Sequence, residues 1–471
     1  MSHHTLRPFF EPSSVAVIGA SRTPNKAGHN IIENLLRLEY PGRIYPINPQ
    51  AKQLLGLPVY PSLRDTPEVP ELALIVLPPP LVLASLEECA ARGIKAVIIE
   101  TAGFAEMDEA GARNERAIAE LAKRAGIRVM GPNSIGTINP RVNFDASFAR
   151  LSRTFLPDAA IRPGAAGIFG QTGLFTGVFL PRINADIGIS KVACLGNKCD
   201  VDESDLLEYL GDDPETKVIA MYLESIKDGR RFLDLSRRIV PEKPLIVLKS
   251  AVTEAGARVS STHTGSVAGE DRVYEAAFNQ VGIIRVGSFE QLFDVTKAFV
   301  LSPLPKGNRV AIINDTGAGC VTVVDACVRS GLAIAELAPA TVAAIKGVYP
   351  EWWLVRSPLD VWTAVESSGF EKAYTTVTRA ALADDGVDAV VVIMGAIDWL
   401  PGRDIPGLFK EMKEAFPQKP FLAVNPLGDR KLYDKLCSGF QALGIPHYAE
   451  PEDAIAALAA LWKYQEYRSR L

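Results

Sequence analysis

Three times along the chain a short β-branched run, apolar at successive positions, ends in a small glycine-bearing loop and passes into a helical pattern. A continuous apolar run predicts a strand buried on both faces, and the strand–loop–helix order predicts doubly wound α/β units. The first is Val15–Ile18 into Gly19-Ala20-Ser21, the second Ala166–Phe169 into Gly170-Gln171-Thr172-Gly173, and the third Val310–Ile313 into Asn314-Asp315-Thr316-Gly317-Ala318-Gly319. Each is expected to open a domain. The second and third units also share a later landmark, since Pro241-Glu242-Lys243-Pro244-Leu245 recurs as Pro417-Gln418-Lys419-Pro420-Phe421, which points to an internal duplication. Polar or proline-rich passages at 150–163 and 302–307 separate the units, giving expected domains at 1–145, 155–302 and 307–471. The alanine-rich tail from Pro451 carries apolar residues at helical spacing and predicts a closing helix.

Composition narrows the class. The 471 residues are 48% hydrophobic and 22% charged, the balance of a soluble globular chain. The net charge of −5 provides no general attraction to nucleic acid or to an anionic membrane, so any phosphate site has to be local. Six scattered cysteines with no Cys-x-x-Cys spacing suit a reduced cytoplasm, and no stretch reads as a signal peptide or a membrane span.

The first loop, Gly19 to Gly28, feeds a helix through a small-residue turn that points backbone N–H groups and the positive helix end at an anion. Its spacing is not Gly-x-Gly-x-x-Gly, and the next strand, Arg43–Ile47, ends in Asn48 instead of the carboxylate that holds an NAD ribose. Arg22, Lys26 and Lys52 suit a ligand with several phosphates, such as coenzyme A. The competing reading is a tight turn that only packs helix on strand.

Among five histidines, His263 lies in Ser260-Ser261-Thr262-His263-Thr264-Gly265-Ser266-Val267-Ala268-Gly269, a run of hydroxylated and glycine residues with almost no core-forming bulk. A neutral imidazole is a good phosphoryl acceptor near pH 7. The strand Met221–Leu223 ends in Glu224, a place from which a carboxylate can orient one ring nitrogen and leave the other nucleophilic. Asp200, Asp202, Glu203 and Asp205 form an acidic run that reads equally as a metal site or a helix cap, and no metal is assigned.

These segments together resemble the nucleoside-diphosphate-forming acyl-CoA synthetases, relatives of the succinyl-CoA synthetase α subunit. The resemblance rests on Phe10 to Ser21, Ile47-Asn48-Pro49, Leu77-Pro78-Pro79, Glu100-Thr101-Ala102-Gly103, Gly131-Pro132-Asn133-Ser134-Ile135-Gly136, Gly196-Asn197-Lys198 and the Ser/Thr-His-Thr-Gly-x-x-Ala-Gly loop. It implies a Rossmann-like CoA-binding domain followed by two flavodoxin-like domains. It also implies CoA contacts at Gly19, Ser21, Lys26, Asn48, Pro78 and Glu100, phosphohistidine formation at His263 with Glu224, and substrate or phosphate contacts at Gln171, Thr172, Gly173, Asn197, Gly265, Thr316 and Gly317. Gly170 stands where the family has serine. Asp315 and Thr316 stand where it has glycines, so a charge and side chains replace close backbone approach.

No ATP-grasp module is expected within these residues. The resemblance therefore implies an ATP-grasp β-type partner carrying ATP or ADP with magnesium, in a hetero-oligomer such as α2β2, and a small carboxylic acid or acyl-CoA as substrate. The partner is expected to dock on an exposed apolar patch, the third unit being one place for it. Two other classes stay open, a non-catalytic CoA or acyl-CoA-binding regulator of the same fold and an NAD-dependent dehydrogenase.

Overall fold

The structure is a computed structural model that describes residues 6–149, 161–256, 258, 270–395, 404–426 and 428–471. It contains three principally parallel sheets, as expected for the α/β class. The strands are β1 (Ser14–Ile18), β2 (Arg43–Ile47), β3 (Gln53–Leu54), β4 (Leu57–Pro58), β5 (Leu72–Ile75), β6 (Ala96–Ile99), β7 (Arg128–Met130), β8 (Thr137–Asn139), β9 (Phe144–Asp145) and β10 (Pro163–Gly170). They continue as β11 (Ile189–Cys194), β12 (Val218–Leu223), β13 (Leu245–Lys249), β14 (Ile284–Val286), β15 (Arg309–Asn314), β16 (Ala333–Ile334), β17 (Leu359–Asp360), β18 (Ala389–Ile393), β19 (Phe421–Val424) and β20 (His447–Tyr448).

The first sheet runs β2-β1-β5-β6-β7 with every pair parallel, and β3 and β4 form a separate short ribbon. All five residues of β1 are buried, because helices cover both faces of a parallel sheet and leave no polar side to alternate with. The second sheet runs β14-β13-β12-β10-β11-β8-β9 and the third β16-β15-β18-β19-β20, with β17 alongside β15. Numbered within their own sheets, with the two-residue β17 left aside, the parallel strands of both follow the order 2-1-3-4-5. The repeated Pro-x-Lys-Pro segment enters the fourth strand in each, β13 and β19, which supports the duplication.

By compactness the chain divides into two units, Met1–Gly287 and Ser288–Leu471. The first holds two sheets. Its strands β8 and β9, inside the expected bounds of the first domain, pair antiparallel onto the edge of the second sheet, with Val192 opposite Ile138 and Ala193 opposite Thr137.

In the second unit the helix Phe289–Leu301, inside the expected bounds of the second domain, packs on the closing helix Pro451–Arg468. Phe299 meets Tyr464 edge-on at 5.4 Å, and the Tyr448 hydroxyl donates to the Asp294 carbonyl at 3.1 Å. The apolar periodicity of both helices therefore serves the third sheet's core. Trp352 and Leu354 are exposed in this unit. Among the described residues no helix is long and apolar enough to cross a membrane.

Candidate functional site

At the first loop, the Gly19 and Ala20 N–H groups both donate to the Ile47 carbonyl, at 3.2 and 3.3 Å. The Asn48 carboxamide donates back to the Ala20 carbonyl at 2.7 Å. Asn48 thus ties the loop to the end of β2, where a dehydrogenase would need a carboxylate. A Cβ on Gly28 would lie 2.3 Å from the Gly19 carbonyl oxygen, so glycine is what lets the helix Ala27–Arg37 start directly against the loop. Lys26 occupies the N-cap position and, among the described residues, no side chain caps that helix, leaving its start open toward an anion.

The carboxyl ends of β1, β2, β5 and β6 bring Gly19, Ser21, Asn48, Pro78 and Glu100 to one edge of the sheet, the edge at which open α/β sheets bind ligands. Arg22, Lys26 and Lys52 are exposed there, and exposed Pro78 begins the helix Pro79–Arg92.

Glu100 is 6% exposed, and among the described residues neither carboxylate oxygen has a hydrogen-bond partner. Burial and the nearby charge of Asp145 hold its carboxyl well above the usual range. Asp145, on β9, is itself raised to about 6 by burial. Open helix start, exposed cations and an unpartnered buried carboxyl together fit the phosphates and the hydrogen-bonding arm of coenzyme A.

In the second sheet β10 lies between β11 and β12, so the switch in strand order opens a crevice at the carboxyl ends of β10 and β12. Gln171 and Glu224 line it. The Gln171 side-chain oxygen accepts from the N–H groups of Glu224 (2.9 Å) and Ser225 (3.1 Å). The Tyr222 hydroxyl donates to the Glu224 carboxylate at 3.3 Å. A Cβ on Gly170 would lie 2.8 Å from the Tyr222 carbonyl, a physical reason for glycine at that position.

The Thr172 hydroxyl accepts from the Leu174 N–H at 3.3 Å, and a Cβ on Gly173 would lie 2.3 Å from the Ile135 side chain, so this loop sits against the segment from Pro132 to Gly136. Beside the crevice, Ile226, Phe232, Tyr274 and Phe278 help to line an apolar groove of about 400 Å3. His263 and Gly265 lie outside the described residues. β13 ends at Lys249, the described residues continue to 256 with 258, and Glu270 is the next described residue, at the N-cap of the helix Asp271–Gln280.

Asn197 has a use that its sequence setting does not reveal. Its amide nitrogen donates to Glu106 (2.5 Å) and Glu115 (2.8 Å), carboxylates contributed by the first sheet's side of the unit. The acidic run behaves as a cap and an ion-pair hub. Asp202 caps the helix Glu203–Asp212 reciprocally with Asp205, Arg128 bonds Asp200 (3.0 Å) and Asp205 (2.6 Å), and Lys198 bonds Glu203 (2.8 Å). Among the described residues no three metal-ligating side chains are grouped to hold an ion.

At the third loop the helix Gly317–Arg329 is already capped, the Thr316 hydroxyl accepting from the Gly319 N–H at 3.0 Å. Asp315 accepts from the Gly395 N–H at 2.9 Å, and burial raises its pKa. A Cβ on Gly317 would lie 3.4 Å from an Asp360 carboxylate oxygen. Thr316 and Gly317 therefore sit at a helix start that a hydroxyl fills and two carboxylates approach.

Residues 13–140 match the CoA binding domain family, and residues 163–299 the succinyl-CoA ligase like flavodoxin domain family. An acetate–CoA ligase [ADP-forming] II of Archaeoglobus fulgidus is 42% identical over 98% of the chain and 67% of its own length. The acetate–CoA ligase [ADP-forming] II subunit alpha of Pyrococcus furiosus is 36% identical over 96% of both chains.

The solved dinucleotide-forming acetyl-coenzyme A synthetase 1 of Ca. Korarchaeum cryptofilum, in complex with phosphate and ADP, superposes with a TM-score of 0.87 at 33% identity. It covers 98% of this chain and 97% of that one. Sheets, loops and relatives agree, and the chain belongs to the ADP-forming acetate–CoA ligase family as an α-subunit-like member with CoA-binding and succinyl-CoA ligase-like flavodoxin domains.

Proposed function

We propose that the chain performs the acyl and phosphoryl steps of acyl-CoA + ADP + phosphate ⇌ carboxylic acid + ATP + CoA. Gly19, Ser21, Arg22, Lys26, Asn48, Lys52, Pro78 and Glu100 hold CoA. The loop Gln171-Thr172-Gly173, with Asn197 and Gly265, receives the phosphate end; Thr316 and Gly317 offer a weaker anion contact within their own unit. Phosphate attacks the thioester carbonyl, the C–S bond breaks, and CoA leaves as the thiolate. A ring nitrogen of His263 then attacks phosphorus of the acyl phosphate, expelling the carboxylate, and Glu224 hydrogen-bonds the other nitrogen. The phosphoryl group passes to ADP held with magnesium by an ATP-grasp β-type partner. The observation that carries this reading is Glu224, fixed at the crevice between β10 and β12 and beside β13, the strand that precedes the histidine segment in the sequence.

A separate partner is supported by relatives called subunit alpha that match this chain over 96% and 99% of their own length. Others, of which the chain spans only about two thirds, are longer. The exposed Trp352 and Leu354 are candidates for the partner's contact, and six free cysteines fit a reduced, cytoplasmic setting.

The test is incubation of the full chain with labelled phosphate and the CoA thioesters of acetate, 4-hydroxybutyrate and ferulate, the acids named in the relatives. At least one should leave an acid-labile, alkali-stable label that His263→Ala abolishes. Glu224→Gln should slow labelling by about 10²–10³, the usual cost of one lost electrostatic contact. Label that survives in the His263 variant overturns the mechanism. No label with any thioester, alongside tight CoA binding, favours the regulator reading to which the carboxylates at the third loop already point. Calorimetric titration of the full chain with CoA and NAD separates both readings from a dehydrogenase.

A further inference from the structure

Lys249 ends the buried strand β13 and is itself 3% exposed. Its ammonium donates to the Glu224 carbonyl at 2.8 Å and to the Ser250 carbonyl at 2.5 Å, and it lies 4.5 Å above the Tyr274 ring. On the other side of the same peptide unit, Gln171 accepts from the Glu224 and Ser225 N–H groups. The Glu224 backbone is thus gripped from both flanking strands, by β10's loop through N–H and by β13 through C=O. We propose that Lys249 is a positioning residue for phosphoryl transfer: by bridging the Glu224 and Ser250 carbonyls it fixes the backbone that carries the Glu224 carboxylate. This rests on the phosphohistidine reading above.

A buried ammonium is costly, and a strand that ends Leu-Ile-Val-Leu would gain from a fifth apolar residue unless the charge served something. Here three features satisfy it, two carbonyls and a ring face. Burial lowers its pKa to about 8; Arg285 on β14 and Lys198 after β11 push the same way, while Asp271 and Glu224 oppose. The grip is therefore charged at pH 7 and loses its charge as pH rises through about 8. A neutral amine still donates, but charge-assisted hydrogen bonds are about twice as strong, so the position of Glu224 loosens on the alkaline side.

The experiment follows the rate at which the full chain takes label from phosphate and the thioester that labels it best, from pH 6 to 9.5, with Lys249→Met and Lys249→Arg. Misplacement of a positioned group costs up to about 100-fold, so Lys249→Met should label roughly 10–100-fold more slowly with CoA affinity unchanged. The wild-type rate should fall above pH 8, that fall should vanish in Lys249→Met, and Lys249→Arg, charged throughout, should recover part of the rate and extend it to higher pH. Hydrogen exchange at residues 222–226 reads the grip directly, and should quicken in Lys249→Met while thermal unfolding confirms a folded chain. Wild-type labelling in Lys249→Met, or an unchanged pH profile, overturns the proposal. If the wild-type chain takes no label, the phosphohistidine reading fails on its own, and unchanged exchange at 222–226 still overturns the role of Lys249.

Discussion

Asp145 and Glu100 set two carboxyl groups in one dry region, and their proton affinities make stability depend on pH. Asp145 titrates near 3.8 when unfolded and at about 6 in the folded chain, because burial outweighs the hydrogen bonds from Ser147 and the charge of Arg37. Between those values the folded state holds the extra proton. Its contribution is therefore fully present below about pH 4 and lost as pH rises through 6. At 1.36 kcal/mol per unit the loss is about 3 kcal/mol. Asp145→Asn keeps an oxygen for the Ser147 N–H and removes the ionisation. It should raise the unfolding temperature at pH 8 by several degrees relative to wild type and leave it nearly unchanged at pH 4; equal gains at both pH values would remove the assignment. At this scale the sequence is legible where a motif carries a resemblance, as at Glu100 and Asn48. It is silent on Asp145, Lys249 and the Glu106 and Glu115 carboxylates on Asn197, because those meetings join residues up to 91 positions apart and leave no local pattern.

Strand, loop and helix form the unit that repeats, and its tightness is testable at Gly28. The nearest atoms to an added Cβ there are Gly19 oxygen at 2.3 Å, Gly19 carbon at 2.9 Å and Ala20 Cα at 3.0 Å, all backbone. None can rotate away. Gly28→Ala must push the helix start off the loop, a strain of about 1–3 kcal/mol. We expect CoA affinity of the full chain to fall about tenfold or more in calorimetric titration, with the Ser288–Leu471 unit unfolding as before; unchanged affinity would show that the loop does not cradle the ligand. These elements were readable because parallel strands are apolar throughout and glycine loops punctuate them. Proline punctuation marks the end of the helix Phe289–Leu301 at the Ser302–Gly307 passage, but it carries no sign that this helix packs on Pro451–Arg468, a pairing of segments about 150 positions apart. The third loop shows a further limit. Its glycines announce a turn, but only the structure shows Thr316 already spending its hydroxyl on the cap.

Across the unit Met1–Gly287, the chain crosses from the first sheet to the edge of the second and then returns. After β7 it supplies β8 and β9 to the second sheet, and the segment after β11 comes back, with Asn197, Cys199 and Val201 N–H groups donating to the Pro132, Gly131 and Val129 carbonyls. Asn30 and Asn34 of the first helix hold the carbonyls of residues 147–149. Each half finishes the other's hydrogen bonding. In engineering terms the two halves are a donor and an acceptor strand system, so a gene split at 145 would separate pieces that each end in an unsatisfied edge. A protease site inserted within 150–160 offers the clean comparison. After cleavage the amino-terminal piece should co-elute with the remainder on gel filtration and part from it only in denaturant, whereas release under native conditions would mean that the strand exchange does not hold the halves together.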